Sequence, residues 1–302
     1  MNLFFIVLTH IFFASTFTVT KMALWYGNPF VLVSFRLILG AILLLGMYVA
    51  KYNNWTYLKE RIFWKDVVLL SLCMAYIPYV GEYWAMDYLS SIKTVLLYNM
   101  SPFITAIMSF ILLREKITIK QTIGMIIGFI GSMPLLLETI SPTKVIALLS
   151  TLTFGSLPEY VMFGVMTVAA LGWIIMQQSQ IKHGYPLLLL NGMAMLGGGL
   201  CAVLHSGIQG YLTPLSAIPA MQTLFFMVYA SILTFLSTAG HTLYSYVLTG
   251  FSATFVSLTG LSIPIFTVIF SSVLLKETLS VPSLVSFFIV SIGLILFYSD
   301  EQ

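Results

Sequence analysis

The chain has 302 residues, 59% of them hydrophobic and 8% charged, with a formal net charge of +3 and a mean hydropathy of +1.01. A soluble domain carries about a quarter charged residues, so a soluble fold is excluded, and the small positive excess lies mainly in loops, where it bears on membrane orientation rather than on nucleic acid. Apolar runs close to the ~20 residues a helix needs to cross the hydrocarbon core, rather than alternating stretches of about ten, predict helices and not a barrel.

In chain order the runs predict ten spans, at 3–25, 29–50, 66–88, 92–113, 121–138, 160–181, 186–206, 221–248, 251–275 and 281–299. The first begins at Leu3 with no Lys or Arg before it and reads as a retained span, not a secretory signal. Gly27-Asn28-Pro29 marks the first turn, and Lys21 sits near enough to a span end to reach the headgroups. Arg36 lies deep in the second span, where a guanidinium either pairs with Glu82 or takes a substrate carboxylate in a bidentate fork. The charged stretch Lys51 to Asp66 breaks the pattern before the third span.

That third span carries the most informative charge, Glu82, because an ionised group at the bilayer centre costs roughly 2.5–3.5 kcal/mol and normally faces a cavity or a partner. At 3.6 residues per turn Tyr76, Tyr79, Glu82 and Tyr83 share about a third of the circumference, an aromatic wall with one acid that suits an amine or sulfonium. Pro78, one turn earlier, frees the carbonyl of Met74 and predicts a bend there, for packing or for function. Trp84 points away from the acid.

On the fourth span Thr94, Tyr98, Ser101, Thr105 and Ser109 form a polar stripe with Asn99 beside it, either lining a cavity or bonding helix to helix. Pro102 in this span and Pro264 in the ninth leave the carbonyls of Tyr98 and Gly260 without helical partners, so each helix is expected to bend beside a cavity. Arg114-Glu115-Lys116, Gly184-Tyr185-Pro186 and Lys276-Glu277 supply further breaks. Gly124, Gly128, Gly192 and Gly197 to Gly199 read as close helix contacts. On the eighth span Thr234, Thr238, His241 and Ser245 share a face, which makes His241 a hydrogen-bonding or titrating candidate, with Tyr244 beside it. Trp25, Trp55 and Trp64 read as interfacial anchors, while Trp84 and Trp173 lie deeper, where an indole can stack on a flat substrate.

The chain repeats itself. SPFITAIMSFILLREK (101–116) recurs as IPIFTVIFSSVLLKET (263–278), a displacement of 162 that carries Pro102 onto Pro264, Glu115 onto Glu277 and Ile130-Gly131 onto Ile292-Gly293. A displacement of 157 carries Gly27, Pro29 and Gly40 onto Gly184, Pro186 and Gly197. Two five-span repeats follow, at 1–140 and 160–302 around a connecting segment 141–159. Because five is odd, the second enters the membrane from the opposite side. Under the 162 displacement Pro78 maps to Gly240 and Glu82 to Tyr244, so the acid is not repeated. The distribution of Lys and Arg, eight against four, puts both termini in the cytoplasm.

Cys73 and Cys201 sit in apolar runs without metal-ligand spacing, and no metal or cofactor is expected. Phosphate-loop, HExxH and Gly-x-Ser-x-Gly patterns are missing from the sequence, which disfavours an ATP-driven pump and an enzyme. FFASTFTVTKMAL (12–24), NPFVLVSFRLILGAILLL (28–45), the segment 85–118 and its second-half copy ending LLKETLS (274–280) resemble the drug/metabolite transporter superfamily in its ten-span EamA-type branch. EYWAMDYLSSIKTVLLYNMSPF (82–103) is similar to that superfamily's S-adenosylmethionine carriers. The resemblance implies an all-α carrier with a central cavity, moving a small organic solute by alternating access in a bacterial inner membrane.

With it, Glu82 is expected to hold a cation and Arg36 an anion. Tyr79, Tyr83, Tyr98, Asn99, His241 and Tyr244 would shape the pocket, and Pro102 and Pro264 would act as hinges. The expected partners are the bilayer, a small-molecule zwitterion and a coupling proton or counter-substrate. An amino-acid or drug exporter of the same fold, and a non-transporting sensor or assembly protein, stand as alternatives.

Overall fold

In a computed structural model the chain is described over residues 3–52, 54–86, 88, 100–138, 156–211, 219–274 and 281–299, with the side chains of Tyr83 and Pro264 among those not described. Every regular element among these residues is helical. Helix α1 covers Leu3–Leu24 and α2 Pro29–Lys51. Asn28 caps α2, its Oδ1 accepting the Phe30 N–H at 2.9 Å, and Pro29 occupies the first turn, where a missing N–H costs no bond.

After a 3-10 turn at Thr56–Lys59 the third helix starts at Arg61, five residues before the predicted boundary at Asp66. The charged stretch fails as a break because its first turns are amphipathic: Phe63 and Asp66 are buried while Arg61, Trp64 and Lys65 face outward. This helix comprises α3 (Arg61–Leu70), a π turn at Ser71–Tyr76 and α4 (Ile77–Met86). The Ile77 N–H reaches back five residues to the Leu72 carbonyl. The disturbance expected from Pro78 thus takes the form of a π turn just before it, where the bonding pattern is already offset when the ring interrupts it.

Helix α5 (Ser101–Leu113) ends on Arg114 in the left-handed region, φ 58°, and α6 spans Ile119–Glu138. Then follow α7 (Leu157–His183), α8 (Leu187–Ile208), α9 (Ala220–Val247), α10 (Ala253–Thr259), α11 (Ile263–Leu274) and α12 (Val281–Tyr298). Gly184, at φ 64°, turns the chain from α7 into α8, a conformation that glycine adopts without a Cβ clash.

Five helices among the described residues are long and apolar enough to cross a membrane: Pro29–Lys51, Arg61–Glu82, Leu157–His183, Leu187–Ile208 and Ala220–Val247. Shorter apolar helices lie at Leu3–Thr16, Ser101–Leu113, Ile119–Gly131, Ala253–Ser262 and Phe288–Tyr298.

The helices form two compact units, residues 1–80 with 171–250 and residues 81–170 with 251–302, so each unit draws on both halves of the chain. In the first, α2 packs along α8 and α1 along α9. Its core joins Tyr48, Phe63, Leu70 and Met74 to Met176, Leu189 and Leu190. In the second, α6 packs along α12 with backbone against backbone: a Cβ on Gly293 would lie 2.6 Å from both the Gly124 carbonyl and the Gly128 nitrogen. There α5 meets α10, where Ser101 and Thr105 both bond Ser257 at 3.2 Å. Ser101 and Thr105 of the fourth-span stripe therefore bond helix to helix, whereas the buried Ser109 hydroxyl has no hydrogen-bond partner among the described residues.

Candidate substrate-binding site

Four of the residues singled out from sequence, Arg36, Tyr79, His241 and Tyr244, come together in the first unit. Arg36 is buried in α2, and its guanidinium carbon lies 4.0 Å from the centroid of the Tyr79 ring. The hydroxyl of Tyr79 lies 3.0 Å from His241 Nε2, and His241 Nδ1 lies 2.8 Å from the Ser237 carbonyl.

These distances assign the protons. A carbonyl only accepts, so Nδ1 carries the ring proton toward Ser237. Nε2 then accepts the Tyr79 hydroxyl. Donating its proton to His241 leaves the phenol ring richer in electrons, and that ring is what the Arg36 cation rests on. Ser237, His241, Tyr79 and Arg36 thus form one relay across α9, α4 and α2, which fixes a cation at membrane depth.

Aromatic rings close around the relay. Trp173 of α7 lies 5.5 Å from His241 and 4.2 Å from Tyr244, centroid to centroid. Phe13 of α1 meets His241 edge-on at 5.2 Å and Tyr244 at 5.9 Å. His10, one turn back on α1, is 6.5 Å from Tyr244 and bonds the Ile6 carbonyl through Nδ1 at 2.9 Å. The predicted polar face of α9 is its buried face: Thr234, Thr238, His241 and Ser245 are all enclosed. The Thr238 hydroxyl has no hydrogen-bond partner among the described residues.

From this cluster a polar track runs along α7, α8 and α9. Asn191 Nδ2 donates to Ser245 Oγ at 3.0 Å, Gln180 Nε2 to the Ser245 carbonyl at 3.2 Å and Gln177 Nε2 to the Leu248 carbonyl at 2.8 Å. Elsewhere on α7 Ser179 Oγ donates to Asp66 at 2.6 Å, and Asp66 pairs with His183 at 3.3 Å. Beside it the Tyr185 hydroxyl donates to Glu60 at 2.7 Å, and burial together with that carboxylate pushes the Tyr185 pKa up to about 12.

Sequence reading noted Trp173 as a deep ring able to stack on a flat solute, but it missed Phe13 and this track. The run Gln177-Gln178-Ser179-Gln180, four polar residues closing an apolar helix, was the signal that could have found it.

Glu82 is half-buried on α4 and belongs to the second unit, as does Tyr83. Tyr98 and Asn99 lie outside the described residues. Tyr76 turns to α8, 3.5 Å from His205, so it does not share the wall of Tyr79.

Pro102 and Pro264 both occupy the first turn of a helix, not its middle. Ahead of Pro102 the Phe103 N–H bonds the Met100 carbonyl at 3.1 Å. Ahead of Pro264 a 3-10 turn, Gly260–Ser262, lets the Ile263 N–H bond the Gly260 carbonyl. That carbonyl, expected to lose its partner, is satisfied by a tighter turn. Among the described residues no three His, Cys, Asp or Glu side chains converge as metal ligands.

The chain is similar to known proteins over its whole length. It is 26% identical over 309 residues to an S-adenosylmethionine/S-adenosylhomocysteine transporter of Chlamydia muridarum, covering 100% of this chain and 92% of that one. It is 25% identical over 306 residues to the transporter of the same name from Chlamydia trachomatis serovar L2, covering 100% and 90%. An uncharacterized transporter of Bacillus subtilis, YoaV, is 24% identical over 288 residues, covering 93% and 91%. A solved crystal structure 12% identical in sequence matches the fold with a TM-score of 0.75, over 99% of this chain and 97% of its own. The EamA-like transporter family model matches residues 1–137 and 156–299. With that match over most of its length, and with spanning helices in place of a soluble core, this multi-pass membrane protein belongs to the EamA-like transporter family.

Proposed function

We propose that the protein is a secondary carrier of ten spans, arranged as two inverted five-helix repeats, which moves a zwitterion of the S-adenosylmethionine type by alternating access. The bilayer is a bacterial inner membrane and both termini are cytoplasmic. The observation that carries this reading is the buried relay from Ser237 through His241 and Tyr79 to Arg36. The planar fork of a buried guanidinium matches a carboxylate, so Arg36 is the candidate for the anionic end of the solute.

The rings of Trp173 and Tyr244, beside the relay, suit a flat heteroaromatic group, and the unpartnered Thr238 hydroxyl offers a further polar contact. Glu82 is the candidate for the cationic end, on charge alone. Tyr83, Tyr98 and Asn99 remain candidate lining residues by composition, and a coupling proton or a counter-substrate completes the cycle. The start of a helix at Ser101, beside Pro102, and the 3-10 turn just before Pro264, at repeat-related positions, support paired hinges. So does the packing of α2 on α8 and of α6 on α12, each pair being counterparts in the repeat.

Counterflow tests the reading. Purified protein in liposomes loaded with unlabelled S-adenosylmethionine should accumulate labelled S-adenosylmethionine and S-adenosylhomocysteine in preference to amino acids or nucleosides. Glu82→Gln should weaken that uptake, and unchanged uptake would remove Glu82 from the site. Exchange of amino acids instead would make the protein an amino-acid exporter. A panel in which no solute moves would leave the non-transporting sensor or assembly protein.

A further inference from the structure

The element that aims Tyr79 is the π turn Ser71–Tyr76, and glycines of two neighbouring helices lie against it, Gly172 and Gly198 on its backbone and Gly197 on the Ser71 side chain. A Cβ on Gly198 of α8 would sit 2.4 Å from Ala75 Cβ and 3.1 Å from the Ser71 carbonyl oxygen. One on Gly197 would sit 2.2 Å from Ser71 Oγ, and one on Gly172 of α7 would meet the Cys73 carbonyl and the Met74 nitrogen at 3.0 Å. Backbone atoms cannot swing aside as the end of a long side chain can. A π turn closes on five residues where an α turn closes on four, so it holds one residue more and is wider. Glycine at these three positions supplies that width.

The spare residue has an angular consequence. Each α-helical residue advances about 100° around the axis. If 71–76 closed as α turns with the same number of residues, α4 would rotate by about that angle against α3. Pro78 would then take the direction in which Tyr79 now points, and the phenol would leave His241 and Arg36.

We propose that Gly172, Gly197 and Gly198 are positioning residues for the relay: by making room for the spare residue they set the phase of α4 and bring Tyr79 between Arg36 and His241. The predicted effect on affinity rests on reading that cluster as the solute site; the geometric claim does not. Packing alone would make glycine useful against any turn and predicts no link to helix register. Register predicts a specific rescue. Removing Leu72, a half-exposed residue of the turn, lets it close as α, keeps Tyr79 in phase and withdraws the wall from Gly198.

The test uses the full chain in membranes, with Cys73 and Cys201 changed to Ala and with Tyr79→Cys and His241→Cys joined by a bifunctional thiol reagent. The cross-link is expected in this background, to fall several-fold on adding Gly198→Ala, and to return when Leu72 is also deleted. Deleting Leu72 alone should keep it. In parallel, with Tyr79 and His241 intact, Gly198→Ala should raise KM for labelled S-adenosylmethionine, and the Leu72 deletion should restore it. Cross-linking undiminished by Gly198→Ala, or lost on deleting Leu72 alone, overturns the proposal. If Gly198→Ala does not reach the membrane folded, the deletion alone decides. Because the cross-link needs no solute, failure of every solute in counterflow would sink the transport reading and leave this result standing.

Discussion

Arg36 shows how one side chain acquires a role from its surroundings. An arginine over a tyrosine face gains about 0.5–2 kcal/mol, more where water is excluded, and Tyr79 keeps its orientation through the bond to His241. Tyr79→Phe retains the ring and removes a hydrogen bond of about 1 kcal/mol, so the apparent affinity for the transported solute should fall roughly fivefold. Arg36→Lys, which loses the planar fork, should cost about tenfold or more. Because the two act in one relay, the double variant should fall short of the sum, and uptake assays on all four proteins measure that coupling.

Tyr185 supports a pH prediction. Its pKa is raised to about 12 by burial and by Glu60, so the folded state favours the neutral phenol. The stability it contributes is complete below pH 10 and is lost as pH rises toward about 12. The melting temperature should therefore drop across that window, less steeply in Tyr185→Phe. Arg36, Tyr79, His241 and Tyr244 were legible in the sequence because polar or charged groups in apolar spans have few permissible surroundings. Trp173 was noted only as a deep ring and Phe13 not at all, since an aromatic ring in an apolar helix packs equally well facing protein or lipid.

At the scale of elements the prolines are instructive. Sequence predicts two bent helices; among the described residues Pro102 lies in the first turn of Ser101–Leu113, and Pro264 follows a 3-10 turn, positions where the ring withholds no bond. The missing N–H dictates that a regular helix cannot pass through unchanged, but not whether it bends, tightens to 3-10 or restarts. Pro78 gives a third outcome, a π turn one step upstream. The glycine pattern was read correctly as close packing, and α6 against α12 is its closest backbone-to-backbone case among the described residues. Gly293→Ala places a Cβ 2.6 Å from the Gly124 carbonyl and the Gly128 nitrogen, neither of which can retreat alone. It should cost about 1–3 kcal/mol and lower the melting temperature, while Gly46→Ala, with open space around it, should not.

For the molecule as a whole, composition and periodicity settled the class: a helical membrane protein with few charges to bury and a sequence that says one phrase twice. Those are properties of consecutive residues, because hydropathy and helical phase are summed along the chain and need no knowledge of neighbours. Which helices associate was decided in three dimensions. The compact units cut across the two halves of the chain, pairing residues 1–80 with 171–250 and 81–170 with 251–302. The relay is likewise assembled from positions 36, 79, 237 and 241, brought together by α2, α4 and α9. Sequence by itself determined that this chain lies in a membrane as helices and that Arg36, Tyr79 and His241 needed partners. Only tertiary structure decided that they meet one another, because three separate helices carry them and the direction of Tyr79 follows a π turn that hydropathy along the chain does not reveal.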